Sequence, residues 1–83
     1  MNITISITYQ GRNGNYRVQM DSNVDDATVR RVCEEAVRNG EVPGLKATHV
    51  PQNAFANFVV DRITPRGRGE KRFVLRPRVP FGG

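Results

Sequence analysis

Cysteine and histidine are scarce in this chain of 83 residues, and their scarcity excludes several classes of site. Cys33 is the single cysteine, so an internal disulfide framework is excluded and a reducing compartment is the expected setting. His49 is the single histidine, so the sequence offers no Cys–His or His–carboxylate catalytic pair and no cluster of metal ligands. We therefore expect no intrinsic enzymatic activity, no bound metal and no cofactor held by the chain itself.

Long apolar runs are also missing. No run approaches the roughly 20 residues that a membrane-spanning helix requires. The stretch from Met1 to Ser6 has no basic patch followed by an apolar block, so it does not resemble a signal peptide. An apolar fraction of 37% predicts a thin core, and a chain this short forms one domain without an enclosed substrate chamber. We expect a soluble, monomeric, cytoplasmic protein that does not contact a membrane.

Positive charge is concentrated towards the end of the chain. From Arg62 to Arg78 there are seven basic residues and one glutamate, whereas the rest of the chain has six basic and seven acidic residues. Basic stripes attract nucleic acid, anionic lipid or acidic protein surfaces. A nucleic-acid-binding module is therefore one alternative, and its binding would weaken steeply with added salt.

The first twenty residues predict a β-hairpin. Every second residue from position 3 to position 9 is apolar, which indicates a half-buried strand with its odd-numbered residues inward. Asn13 and Gly14 form a strong turn signal, because both residues tolerate positive φ. Every second residue from position 16 to position 20 is apolar again, so the return strand also has one apolar face. The inward residues are Ile3, Ile5, Ile7, Tyr9, Tyr16, Val18 and Met20.

The apolar spacing changes to that of a helix after Val24. Asp25 is the predicted N-cap, and Val24 and Val29 are placed to pack across it as a hydrophobic staple. Gly40 is expected to end the helix. Cys33 lies on the apolar face, so burial is favoured over reactivity, which requires an accessible electropositive setting. The apolar face consists of Val29, Val32, Cys33, Ala36 and Val37.

A crossing loop and two further strands are predicted next. The loop runs from Glu41 to Asn53, with one short turn or strand near Lys46 to Val50. The third strand is expected over Phe55 to Ile63, because apolar residues occupy both of its faces. A turn or mobile loop is predicted from Ile63 to Glu70, which carries one proline and two glycines.

The last predicted strand runs from Lys71 to Arg76. Phe73 and Leu75 should point inward, and Val74 and Arg76 outward. Pairing should stop near Arg76, because the prolines that follow have no N–H to donate.

This order of elements predicts an α+β fold of the β-grasp type. A hairpin, a crossing helix and further strands form a mixed sheet in which the last strand runs parallel beside the first. We expect residues 1–78 to form this domain and residues 79–83, Val-Pro-Phe-Gly-Gly, to form a flexible tail.

The two glycines that end the sequence suit a carboxylate that must enter another protein's active site. Gly82 and Gly83 have no side chains to obstruct a narrow channel, and glycine reaches backbone angles closed to other residues. An ordinary frayed terminus is the alternative. A chance Gly-Gly pair at this place has odds of about 0.5%, from a glycine usage of roughly 7%.

The arrangement resembles ubiquitin and its relatives. Those proteins have a hairpin from the first residue, a helix that opens at about residue 25 and a final strand that leads to Gly-Gly. The run from Phe73 to Arg76, with Arg78 and the two glycines, is similar to the closing strand and tail of ubiquitin. Val79-Pro80-Phe81 departs from that pattern, because ubiquitin has a shorter, arginine-bearing tail. The chain also has only two lysines, Lys46 and Lys71. These differences point towards a divergent prokaryotic relative.

The resemblance implies that partner enzymes carry out the chemistry. An E1-like activating enzyme would use ATP to form an acyl adenylate at the Gly83 carboxylate, and a cysteine thiolate would then take the acyl group as a thioester. Transfer to a lysine amine of a target protein would give an isopeptide bond. E2-like enzymes and JAB-type proteases are the further partners that the resemblance implies.

The same resemblance indicates which residues meet these partners. Gly82 and Gly83 would be the threading and reacting residues. Arg76 and Arg78 could pair with acidic residues of the activating enzyme, and Phe81 belongs to the same candidate set. Val74 aligns with a valine of ubiquitin's exposed apolar patch, although an ordinary solvent-facing valine is an equally good interpretation.

Two further interpretations stay open beside the modifier and the nucleic-acid-binding module. The chain also resembles the small sulfur carriers of thiamin and molybdopterin pathways, which share the fold, the tail and the activation step but end as a thiocarboxylate. A β-grasp adaptor that binds its partners non-covalently is the last interpretation.

Overall fold

The computed structural model describes residues 2–45, 50–63 and 71–78. Its elements are β1 (Asn2–Tyr9), β2 (Arg12–Gln19), α1 (Asp26–Arg38), β3 (Val59–Ile63) and β4 (Lys71–Arg76). The strands form one sheet in the order β2-β1-β4-β3. β1 is parallel to β4, and the two outer pairs are antiparallel. The structure therefore confirms the α+β class and the β-grasp arrangement, with the first and last strands side by side.

The core lies between one face of this sheet, here called the inner face, and the apolar side of α1. The residues predicted to point inward from β1 are buried, as are Phe73 and Leu75 of β4. Tyr16, Val18 and Met20 are partly buried and pack against the same core. The chain beyond α1 supplies the rest of the core, namely Val42, Leu45, Val50 and Phe55.

The helix begins and ends where the sequence predicts. The Asp25 side chain accepts a hydrogen bond from the Thr28 backbone N–H at 2.9 Å. Hydrogen bonding of the carboxylate with the Thr28 side chain, and then with this backbone N–H, lowers the pKa of Asp25 below its ordinary value. Gly40 follows the C-cap with a φ of 73°, a conformation that glycine adopts without strain.

The turn of the hairpin differs from the prediction at Asn13-Gly14. The connection is Gln10-Gly11, and both residues have positive φ, 52° and 76°, as a two-residue hairpin turn of the primed type requires. Asn13 and Gly14 instead lie within β2, opposite Thr8 and Ile7.

Packing from the crossing loop explains why a glycine is needed inside β2. A Cβ atom on Gly14 would lie 2.7 Å from the Pro43 carbonyl oxygen and 2.8 Å from side-chain atoms of Val42 and Leu45. Gly44 approaches the same strand, because its own Cβ would lie 2.6 Å from the Asn13 carbonyl oxygen. Gly14 therefore serves close packing of the crossing loop, and not a turn.

The third strand is shorter than the predicted span from Phe55 to Ile63. It begins at Val59, because the chain before it forms successive turns closed by the bonds Ala54 N to Pro51 O, Ala56 N to Asn53 O and Phe58 N to Phe55 O. Phe55 is buried in this turn segment. Its ring packs edge-on against the Tyr9 ring, with 5.1 Å between the two ring centres. Burial in a folded turn, and not strand pairing, accounts for its apolar character.

Arginine side chains attach distant segments to the helix. Arg30 donates to the Phe58 carbonyl oxygen at 2.9 Å, and Arg38 donates to the Val50 carbonyl oxygen at 3.1 Å. Arg62 of β3 donates to Asp26 Oδ1 at the start of α1 at 2.8 Å. Residues 46–49 of the short element predicted near Lys46 to Val50, residues 64–70 of the loop predicted from Ile63 to Glu70, and the predicted 79–83 tail lie outside the described residues.

Candidate functional site

The predicted partner-binding residues of β4 lie on the face of the sheet opposite the helix, here called the outer face. Val74 and Arg76 alternate with the buried Phe73 and Leu75, so their side chains point away from the core. Arg78 follows the strand and is exposed. The remaining predicted site residues, Phe81, Gly82 and Gly83, lie outside the described residues.

Val74 lies near the middle of the outer face. Its register partners are Ser6 of β1 and Asp61 of β3, and its side chain is partly exposed. A half-exposed aliphatic side chain between a hydroxyl and a carboxylate offers a small apolar contact bordered by polar groups.

Arg76 forms an ion pair within the domain. Its Nε donates to Asp61 Oδ2 at 2.7 Å, and the two side chains are 42% and 45% exposed. A guanidinium has five N–H donors in a planar fork, so this single bond leaves the terminal nitrogens able to donate to a partner's carboxylate. A partner that approaches Arg76 would therefore share it with Asp61.

Ile63 is a further candidate site residue that the sequence analysis does not single out. It ends β3, pairs with Arg72 and is 47% exposed, and it is the one large hydrophobic residue classed as exposed among the described segments. The predicted strand and the predicted loop that follows it share Ile63 as their boundary. The signal that could have found it is the period of two, which places it on the same face as Asp61.

The β1–β2 half of the outer face is polar and largely uncharged. Ser6 Oγ donates to Asn15 Oδ1 at 3.0 Å, and Thr8 Oγ1 donates to Asn13 Oδ1 at 2.8 Å. These cross-strand pairs give the outer face ordered hydroxyl and amide groups.

Cys33 is fully buried, as expected from its place on the apolar face of α1. Desolvation raises the pKa of its thiol to about 12, so the thiol stays protonated at neutral pH. The described segments contain no group of three His, Cys, Asp or Glu side chains that could hold a metal ion. Among the helices of the described part, none has the length and apolar character needed to cross a membrane.

An open groove of about 420 Å³ lies between α1 and the turns at 52–56. Phe55 is among the residues that line it, and Arg31 and Glu35 line it from the helix. Side chains of both charge signs line it, so it has no clear electrostatic preference for a ligand. The outer face of the sheet is the better candidate, because its partly exposed aliphatic residues adjoin arginines.

No protein-family model matches this chain, and comparison with curated proteins and with solved structures finds no significant match.

Proposed function

We propose that this chain is a divergent ubiquitin-like protein modifier that acts in the cytoplasm. In this proposal an activating enzyme adenylates the Gly83 carboxylate with ATP and releases pyrophosphate. A cysteine thiolate then displaces AMP and takes the acyl group as a thioester. The acyl group is then transferred to an amine of a target protein, with loss of the thiol. The proposal applies whether Gly83 is the encoded end of the protein or an end produced by a protease.

The observation that supports it best is the position of β4. This strand lies between β1 and β3, so it is hydrogen-bonded along both edges, and Gly83 is only a few residues beyond its end at Arg76. Even a fully extended chain from Arg76 to Gly83 spans at most about 25 Å. A carboxylate on Gly83 is therefore tethered to a rigid domain whose outer face can contact the enzyme that acts on it.

Val74 and Arg76 supply the contacts nearest to that tether. In the proposed complex Val74 meets an apolar side chain of the activating enzyme, and Arg76 is shared between Asp61 and an enzyme carboxylate. Arg78 and Phe81 extend the contact along the tail. The enzyme supplies the nucleophile and the ATP site, and this chain supplies the carboxylate and the recognition surface.

The test is intact-mass and blot analysis of N-terminally tagged protein recovered from its native host, with the Gly83 deletion as the matched variant. The wild type should form covalent adducts with other proteins, and the deletion should abolish them. A lysine of the target joined to Gly83 in the peptide map would identify the isopeptide bond.

Other outcomes distinguish the alternatives. An unconjugated chain that is heavier by the exchange of one oxygen for sulfur would identify a sulfur carrier. Absence of both products, with a deletion variant that behaves as the wild type in the host, would contradict any role for the terminal glycines.

A further inference from the structure

One row of side chains crosses all four strands on the outer face. Arg17 of β2 and Arg72 of β4 are both register partners of Thr4, which lies between them on β1. Ile63 of β3 is the partner of Arg72 and completes the row. Residues next to this row, such as Ile3 and Phe73, are buried on the inner face, so the four side chains of the row share the outer face.

The spacing of the row places two guanidinium groups within reach of one ligand. Adjacent strands lie about 4.8 Å apart, so the Cα atoms of Arg17 and Arg72 are about 10 Å apart. Both arginines are exposed. The Thr4 side chain lies between them, and Ile63 offers an apolar contact at the end of the row.

Charge on the outer face favours an anionic partner. Within the described strands, Asp61 is the one carboxylate on this face, and Arg76 already binds it at 2.7 Å. Arg72 has no ion pair within the described part of the chain. The field over the row is therefore positive, and carboxylates can bind a guanidinium in a bidentate manner.

The described part of the outer face carries no aromatic ring, which favours an acidic protein over a nucleic acid. The rings of Tyr9, Tyr16 and Phe73 pack against or within the core on the inner side. Proteins that bind single-stranded nucleic acid on a surface of this kind usually stack bases on aromatic rings. The described residues of this face include no such ring and offer Ile63 in its place.

We propose that the row Arg17–Thr4–Arg72–Ile63 is a docking surface for an acidic protein segment that carries an aliphatic side chain. Arg17 and Arg72 bind carboxylates of the segment, and Ile63 packs against its aliphatic residue. This inference does not depend on the proposed conjugation, because non-covalent docking needs neither Gly83 nor an activating enzyme.

The test uses fluorescence anisotropy with a labelled synthetic peptide in which glutamates are interspersed with leucines. The double variant Arg17→Glu, Arg72→Glu should weaken peptide binding by at least about tenfold, because it replaces attraction with repulsion at the row. The control Arg12→Glu, Arg31→Glu makes the same change in net charge at two exposed arginines outside the row, and it should weaken binding by less than about twofold, by screened long-range charge alone. Circular dichroism should show all three proteins folded.

NMR titration of the wild type locates the contact. Peptide addition should shift the amide signals of Thr4, Arg17 and Arg72 more than those of α1, and Ile63→Ser should weaken binding without unfolding the domain. An equal loss of peptide affinity in the two double variants, or no saturable peptide binding by the wild type, would overturn the proposal. Tighter binding of an oligo-dT probe through the same row would instead identify a nucleic-acid surface. Deleting Gly83 should leave all these results unchanged, so failure of docking and failure of conjugation are separate results.

Discussion

The two faces of the sheet use the same kind of side chain for different purposes. Arg62 lies on the inner side of β3 and donates to the carbonyl oxygens of Ser22 and Val24 and to Asp26 Oδ1 at the start of α1. Its guanidinium also lies 4.7 Å from the centre of the Phe73 ring. Arg72, on the adjacent strand, points outward and has no ion pair within the described segments. Of these two arginines, Arg62 on the inner side stabilises the fold, whereas Arg72 on the outer face can bind a partner.

The largest expected effect comes from comparing Phe73 with its neighbour Val74. Phe73→Ala should lower the free energy of unfolding by about 3–5 kcal/mol, because it removes a buried ring from a small core. Val74→Ala should cost less than about 1 kcal/mol, because this side chain is only partly buried. Urea denaturation monitored by circular dichroism measures both values. Similar losses in the two variants would show that the outer face is as tightly packed as the core.

A smaller effect is expected from the two arginines. Arg62→Ala should cost about 1 kcal/mol, because it removes exposed hydrogen bonds to two carbonyl oxygens and to Asp26 that water replaces in part. Arg72→Ala should change the free energy of unfolding by no more than about 0.5 kcal/mol, as is usual for an exposed side chain without structural partners. Denaturant unfolding of the two variants tests the comparison directly. A larger loss for Arg72 would assign that residue to the fold and weaken the docking proposal.

The smallest effect is expected at Asp25, whose exposed carboxylate stabilises the first turn of α1 by capping it. Asp25→Ala should lower the midpoint of thermal unfolding at pH 7, and Asp25→Asn should lower it less, because asparagine is also a good N-cap. The pKa of Asp25 is lowered in the folded state, so its charge contributes stability above the ordinary value of 3.8, and that contribution is lost as pH falls through the folded pKa.

Thermal unfolding of the wild type and Asp25→Asn at several pH values checks this sign. The stability difference should shrink as pH is lowered below about 3.8. A difference that is constant with pH would show that the charge of Asp25 contributes nothing beyond the hydrogen bond of the cap.

The hairpin shows how far periodicity can predict a fold. Alternation correctly assigned the inward residues of β1 and β2, but it could not choose the turn. A turn at Gln10-Gly11 pairs Ile5 with Tyr16, whereas a turn at Asn13-Gly14 would shift the pairing by an even number of residues and leave the same side chains on the same face. Contact of the crossing loop with Gly14 favours the observed register, and that contact is not visible in local sequence.

The candidate site was predictable only in part. The outward direction of Val74 and Arg76 followed from the period of two in β4, and the structure places both on the outer face. The ion pair between Arg76 and Asp61 could not be predicted from this period, because it depends on the antiparallel pairing of β3 with β4. The roles of Phe81, Gly82 and Gly83 stay predictions.

By itself the sequence determined which side chains face inward, where α1 begins and ends, and where the basic residues concentrate along the chain. These properties arise from neighbours a few residues apart, whose spacing and capping chemistry act locally. Only the tertiary structure decided the hairpin register, the folding of Phe55 into a turn and the division of arginines between the two faces. Those outcomes depend on contacts between segments far apart in the chain, such as Arg62 with the start of α1, and on the pairing of Thr4 with both Arg17 and Arg72.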